Sequence, residues 1–219
     1  HRVKTSKNFG KRLSEQRYVS GGAGRGLEKI LQNWRTDGKV RRLWKKDASL
    51  WSGSDEGEWL GWLDIIDHER GQLKELAKIT ADVRKEKFQH ILLIGMGGAS
   101  LCAEVFARVF GILRGWPELL IVDSTVPSQV EEVANRIDVH KTFFVVSSKT
   151  GQTVECDSLT RYFFDRVRQT VGAAEAGSRF LAITDPGSDL EIFAKSAKFR
   201  DILIAVPKIG GRYSALSHF

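Results

Sequence analysis

Between Val145 and Glu155 the sequence reads VVSSKTGQTVE. Ser147, Ser148, Thr150 and Thr153 supply four hydroxyls, Lys149 an ammonium and Gly151 a pliable main chain, all directly after an apolar β-branched run. Hydroxyls in a strand-to-helix turn are neutral donors suited to a dianion. A helix N-terminus adds unpaired N–H groups and the positive end of the dipole. Glycine lets the main chain come close to the bound group. Ser148, Thr150 and Thr153 lie where all three can converge on one phosphoryl group. Lys149 either reaches that group or points to water; its neighbours do not decide between the two.

A second glycine-rich turn precedes it. The run HILLIG (90–95) is followed by Met96, Gly97, Gly98, Ala99 and Ser100. Two familiar phosphate motifs are excluded. GxGxxG fails because Ser100 stands three positions after Gly97, and the P-loop pattern fails because no glycine stands at the required distance before Lys149. A single Ser/Thr-rich turn is explained equally well by helix capping. Two such turns facing one cleft favour a phosphate site.

The elements that must hold these turns follow from the hydrophobic pattern. Apolar runs at 90–95, 119–124, 142–148, 180–184 and 201–207 are apolar nearly throughout, as strands covered on both faces are. Helical spacing is expected between them at about 100–114, 127–138, 153–170 and 187–197. Strand–helix alternation predicts an α/β fold, a three-layer αβα sandwich on a five-stranded parallel sheet of flavodoxin-like type. In such sheets ligands bind beyond the carboxyl ends of the strands, where both turns lie. Upstream, Leu27, Ile30, Leu31 and Trp34 have helical spacing, as do apolar residues from 65 to 85. Trp44, Trp51, Trp59 and Trp62 fall within nineteen residues and are expected to form a packed collar. The expected organisation is a basic, partly flexible arm over 1–40, a helical tryptophan-rich collar over 41–88 and a ligand-binding domain over 89–219.

Charge is unevenly spread. Residues 1–48 hold 14 Lys/Arg against 4 Asp/Glu, a balance of +10, and the remaining 171 residues hold 20 against 23, a balance of −3. The arm reads as a solvated linker rather than a nucleic-acid-binding segment, because no nucleic-acid motif accompanies it. No apolar run reaches the length of a membrane span, and the basic N-terminus lacks the apolar core of a secretion signal. A cytoplasmic protein is expected, with Cys102 and Cys156 as reduced thiols. No His/Cys/Asp cluster has metal-ligand spacing. The chain begins at His1 and stops at YSALSHF, which reads as a fragment cut at both ends.

SSKTGQTVE, GMGGASL and GGRYSALS, in this order, resemble the first sugar-isomerase (SIS) half of the phosphoglucose isomerase family. LWKKDASLW followed by WLGWLDI resembles the bacterial form in which that isomerase is fused behind a transaldolase. The resemblance covers roughly residues 40–219. It implies interconversion of glucose 6-phosphate and fructose 6-phosphate through a cis-enediolate, without a cofactor. It also implies that Ser148, Lys149, Thr150 and Thr153 bind the substrate phosphate, and that Gly97, Gly98, Ala99 and Ser100 border the sugar phosphate. Arg212 would stabilise the intermediate's negative charge, and Glu155 would orient that arginine. The family reads Gly-Gly-Ser where this chain has Gly97, Gly98 and Ala99, so a hydroxyl is missing; either Ser100 and main-chain N–H groups suffice, or sugar contact weakens. The family's base and its ring-opening residues match nothing here, which implies a missing C-terminal SIS half. The alternative is a single SIS domain that senses a sugar phosphate without catalysis.

Overall fold

The computed structural model describes residues 24–219, with the side chains of residues 24, 25 and 212 outside the description. Expectations about residues 1–23 of the basic arm therefore lie outside the described residues. The chain divides into two units between Gly57 and Glu58, within the tryptophan-rich segment.

In the first unit, Leu27, Ile30, Leu31 and Trp34 lie at helical spacing on α1 (Gly24–Thr36), and all four are exposed. A short helix α2 (Lys39–Trp44) follows, with no buried residue. It ends at a small polar knot. The Asp47 carboxylate accepts from Arg42 Nε at 2.7 Å and from the main-chain N–H of Ser49 at 3.0 Å. These bonds hold the Asp47 carboxyl down at about 2, the Ser49 hydroxyl contributing most.

The tryptophans are not packed as expected. Trp44, Trp51 and Trp59 are 60%, 50% and 47% exposed. Trp62 stacks on a ring, lying 5.9 Å from Tyr213 at 22°. The physical reason is local: short 3-10 turns such as Ala48–Leu50 offer no broad apolar face for an indole to cover.

In the second unit the five apolar runs become β1 (His90–Gly95), β2 (Glu118–Val122), β3 (Thr142–Ser147), β4 (Phe180–Thr184) and β5 (Asp201–Ile204). All pair in parallel, in the order β2-β1-β3-β4-β5. Alternation splits their side chains between two faces. Leu92, Ile94, Phe144, Val146 and Phe180 enter the larger core. There they meet α5 (Pro127–Arg136), α6 (Val154–Val171) and α7 (Asp189–Ser196) through residues such as Ala134, Phe163 and Leu190. Phe143, Val145 and Leu181 point the other way, onto Val83 and Ile79 of α3 (Ile65–Lys85). Right-handed crossover puts α4 (Gly98–Phe110) on the α3 side. The result is the expected three-layer αβα sandwich.

Helix limits follow local chemistry. α4 stops at Phe110, short of the expected 114, because Gly111 takes φ 63°. Pro127 occupies the first turn of α5, and Ser188 caps α7 by accepting from the Glu191 N–H at 3.0 Å. The sheet order reverses at β1. The chain leaves β1 toward α4 on one face and leaves β3 toward α6 on the other, so a crevice opens between their carboxyl ends.

Candidate functional site

That crevice holds a cavity of about 240 Å³. Met96, Gly98 and Ala99 wall it from the first turn, and Ser147, Ser148, Lys149, Thr150 and Thr153 from the second. Gly211 of the GGRYSALS segment and Phe219 close it, and Cys156 lies beneath. Of the residues singled out in the sequence, six therefore meet at one cavity. Gly97, Ser100 and Glu155 are not among its described walls. A larger groove of about 640 Å³ runs along α4 and β2, but Phe106, Phe110, Ile112, Leu113 and Trp116 make it apolar, with no cluster of hydroxyls.

The second turn keeps several donors free of partners among the described residues. Thr153 is the N-cap of α6 and takes the extended conformation that caps require, yet its hydroxyl makes no capping bond. The first amides of the helix have no intrahelical acceptor, and the hydroxyl is left to other partners. Thr150 accepts from the Gln152 N–H at 3.3 Å, which leaves its own O–H to donate. The Ser148 oxygen is buried, the residue being 5% exposed, and forms no hydrogen bond of good geometry. It lies beside the Cys156 thiol, which burial pushes up to about 11 and which the Thr160 and Ser148 hydroxyls lower only in part. That thiol stays protonated at neutral pH.

The turn is also held rigidly. Ser148 N–H donates to the Ile183 carbonyl at 3.1 Å and Asp185 N–H to the Lys149 carbonyl at 2.9 Å. The Thr184 hydroxyl donates to the Ser148 carbonyl at 2.7 Å and lies 2.6 Å from the Ser188 hydroxyl. Gly151 has φ +73°, and a Cβ there would stand 2.5 Å from the Leu190 amide nitrogen, so the turn rests directly on the start of α7. Preorganised donors of this kind need no rearrangement when a charge arrives.

Lys149 lines the cavity and is held by partners from two other strand ends. Its ammonium is bound to Asp185 Oδ2 at 2.5 Å and donates to the Pro207 carbonyl at 2.8 Å. It ties the second turn to the ends of β4 and β5 and contributes a neutralised charge to the cavity wall. Asp185 and Thr184 were not assigned from sequence; their signal was the polar segment following the fourth apolar run.

The first turn behaves differently. Gly97 adopts φ 58° and ψ −115°, which suits glycine alone, and begins α4. Ser100 is fully buried and its hydroxyl donates to the Gly97 carbonyl at 3.2 Å. The Ser100 hydroxyl also lies 3.5 Å from Asp123 Oδ2, so both of its acceptors are within the protein. Glu155 is exposed in the first turn of α6.

The GGRYSALS segment forms a 3-10 turn, Gly211–Tyr213, packed on α4. Gly61 N–H donates to the Lys208 carbonyl at 2.8 Å and Leu60 bridges Ile209, which fixes the approach to that turn. Arg212 lies in it, and its side chain lies outside the described residues. His218, nearest the cleft in sequence, stands with Nδ1 2.7 Å from Glu69 Oε2 on α3 and does not line the cavity. Among the described residues, no group of three or more His, Cys, Asp or Glu could hold a metal, and no helix is long and apolar enough to cross a membrane.

The phosphoglucose isomerase family model matches residues 74–219. A probable glucose-6-phosphate isomerase of Methanococcus maripaludis is 30% identical over 164 residues, covering 72% of this chain and 35% of that protein. A glucose-6-phosphate isomerase of Chlamydia muridarum is 28% identical over 177 residues, covering 80% and 31%. The crystal structure of a glucose-6-phosphate isomerase from Chlamydia trachomatis superposes with a TM-score of 0.60 at 27% identity, covering 69% of this chain and 28% of that one. A hypothetical protein from Thermus thermophilus shares the fold at a TM-score of 0.66 and 24% identity, covering 88% and 44%. The chain spans about a third of the length of the curated relatives it matches.

Proposed function

The chain belongs to the phosphoglucose isomerase family, and on that premise we propose that it is the phosphate-gripping part of a glucose-6-phosphate isomerase. The observation that carries this reading is the single cavity that collects Ser148, Thr150 and Thr153 on one side, Gly98 and Ala99 on the other, and Gly211 at the rim. The three hydroxyls and the first amides of α6 hold the phosphate of glucose 6-phosphate or fructose 6-phosphate. Lys149, neutralised by Asp185, fixes the turn and lends it residual positive character. Gly97 to Ser100 set the main chain along the sugar, with Gly97 giving the turn and Ser100 closing the helix start.

Isomerisation moves a proton between C1 and C2 through an enediolate, and needs a base within hydrogen-bond reach of both carbons. The described cavity wall consists of hydroxyls, main chain, a thiol, a paired ammonium and apolar groups. We therefore assign the base and the ring-opening acid to polypeptide beyond these residues, a second SIS half. Arg212, which follows Gly211 in the GGRYSALS motif, is assigned to the enediolate oxygen, with Glu155 as its orienting partner. A further observation supports a covering polypeptide: Leu101, Val105, Val109 and Phe110 form an exposed apolar stripe on α4, which an isolated soluble domain rarely presents. Origin in a transaldolase–isomerase fusion and a cytoplasmic place complete the reading.

A coupled isomerase assay tests it. The 219-residue chain alone should show negligible turnover, while the longer polypeptide that contains it turns over. Normal turnover by the chain alone would contradict the assignment of the base. Saturable sugar-phosphate binding without turnover in any longer polypeptide would favour the sensor.

A further inference from the structure

We infer that Ser147, rather than residue 99, supplies the hydroxyl that closes the phosphate cradle on the α4 side. The inference rests on the phosphate-site reading above. Ser147 ends β3 and is paired in register with Gly95, the last residue of β1. It follows Phe143 and Val145 in alternation, so its side chain leaves the sheet on the face toward α3 and α4, opposite to Phe144 and Val146. Ala99 sits over that pair. A Cβ placed on Gly95 would lie 3.0 Å from the Ala99 Cβ and 3.1 Å from the Ser147 carbonyl oxygen. Ser147 and Ala99 therefore occupy the same corner of the cavity, and both line it.

The chemistry of that corner is asymmetric. Ala99 offers a methyl group. The Ser100 hydroxyl donates within the protein, to the Gly97 carbonyl at 3.2 Å or to Asp123 Oδ2 at 3.5 Å. Ser147 is 2% exposed, and its hydroxyl oxygen has no hydrogen-bond partner among the described residues. A buried hydroxyl left unpaired is destabilising, and such groups persist at sites where a ligand completes the bonding. Ser148 is in the same condition one residue later, on the side of α6. Consecutive residues thus line one cavity with two buried hydroxyls, Ser147 without a partner among the described residues and Ser148 beside only the weakly bonding Cys156 thiol. A phosphate between them accepts from both, with Thr150 and Thr153 completing the cradle. Ser147 is a positioning and affinity residue for the phosphate; it takes no part in proton transfer.

The test is calorimetric titration of the 219-residue chain with inorganic phosphate and with fructose 6-phosphate, alongside thermal unfolding without ligand. Ser147→Ala should weaken both ligands roughly tenfold or more, as expected for a lost hydrogen bond to a charged group. Its unfolding midpoint without ligand should stay level or rise, because an unpaired polar group has been removed. Adding Ala99→Ser to Ser147→Ala should return part of the affinity. Unaltered affinity in Ser147→Ala, with Thr153→Val clearly weakened, would overturn the role of Ser147 and leave the phosphate-site reading standing. A lower unfolding midpoint or loss of fold in Ser147→Ala would also overturn it, since the hydroxyl would then be bonded within the protein. Failure of the folded, unaltered chain to bind either ligand would overturn both.

Discussion

The Thr184 hydroxyl donates to the main-chain carbonyl of Ser148 at 2.7 Å. The bond joins the end of β4 to the turn that begins after β3, and Ser188 extends it through the Thr184 oxygen to the capped start of α7. The turn proposed to hold the phosphate is thus set by the neighbouring strand and helix as much as by its own sequence.

Thr184→Val removes that bond while keeping the shape. It leaves the Ser148 carbonyl and the Ser188 hydroxyl short of a partner in a buried place. A loss of about 1–3 kcal/mol is expected, read as a lowered midpoint in denaturant unfolding, together with weaker phosphate binding. Unchanged stability would show that the turn does not depend on β4.

Gly151→Ala should be more severe. The residue sits at φ +73° and its new Cβ would meet the Leu190 nitrogen at 2.5 Å. Left-handed strain and the main-chain clash together should cost on the order of 3 kcal/mol or more. Urea unfolding and phosphate titration should both show the damage.

Thr153→Val separates binding from stability. A threonine that caps a helix typically contributes about 1 kcal/mol, but this hydroxyl makes no capping bond. The unfolding midpoint should therefore barely move, while phosphate affinity falls roughly tenfold or more. A clear loss of stability with intact affinity would make Thr153 an ordinary cap.

Burial raises the Cys156 thiol from 9.0 to about 11. Its folded value lies above the unfolded one, so its contribution is fully present below about pH 9 and is lost as pH rises through 11. Between those values the unfolded state releases the proton and the folded state retains it, so stability falls with pH, by on the order of 3 kcal/mol over the window. Stability curves for the chain and for Cys156→Ala should diverge in slope from pH 9 to 11. Parallel curves would remove the linkage.

Phe106 and Phe110 stand together on the exposed side of α4, ring centres 6.0 Å apart. Replacing both with glutamate should leave the unfolding midpoint of the isolated chain nearly unchanged and raise its solubility. A large stability loss would mean that this face is already packed.

The sheet was legible because its strands, covered on both faces, are continuous apolar runs bounded by turns. The paired turns were legible because strand ends in a parallel sheet share one edge. Lys149 was not, because its partners Asp185 and Pro207 lie 36 and 58 residues away. Ser147 was seen among the hydroxyls but not separated from Ser148, since only register and alternation show that they face opposite walls. The exposed tryptophans escaped the sequence as well: indole density signals burial only when an element supplies a face to bury against. Arg212 keeps its role as a proposal resting on its motif.

The most direct test is titration of the folded 219-residue chain with fructose 6-phosphate, inorganic phosphate and fructose. Saturable binding of the first two, none of fructose, and a loss of roughly tenfold or more in Thr153→Val are predicted. Binding of fructose as strong as that of its phosphate, or no binding of either phosphate by the folded chain, would contradict the account.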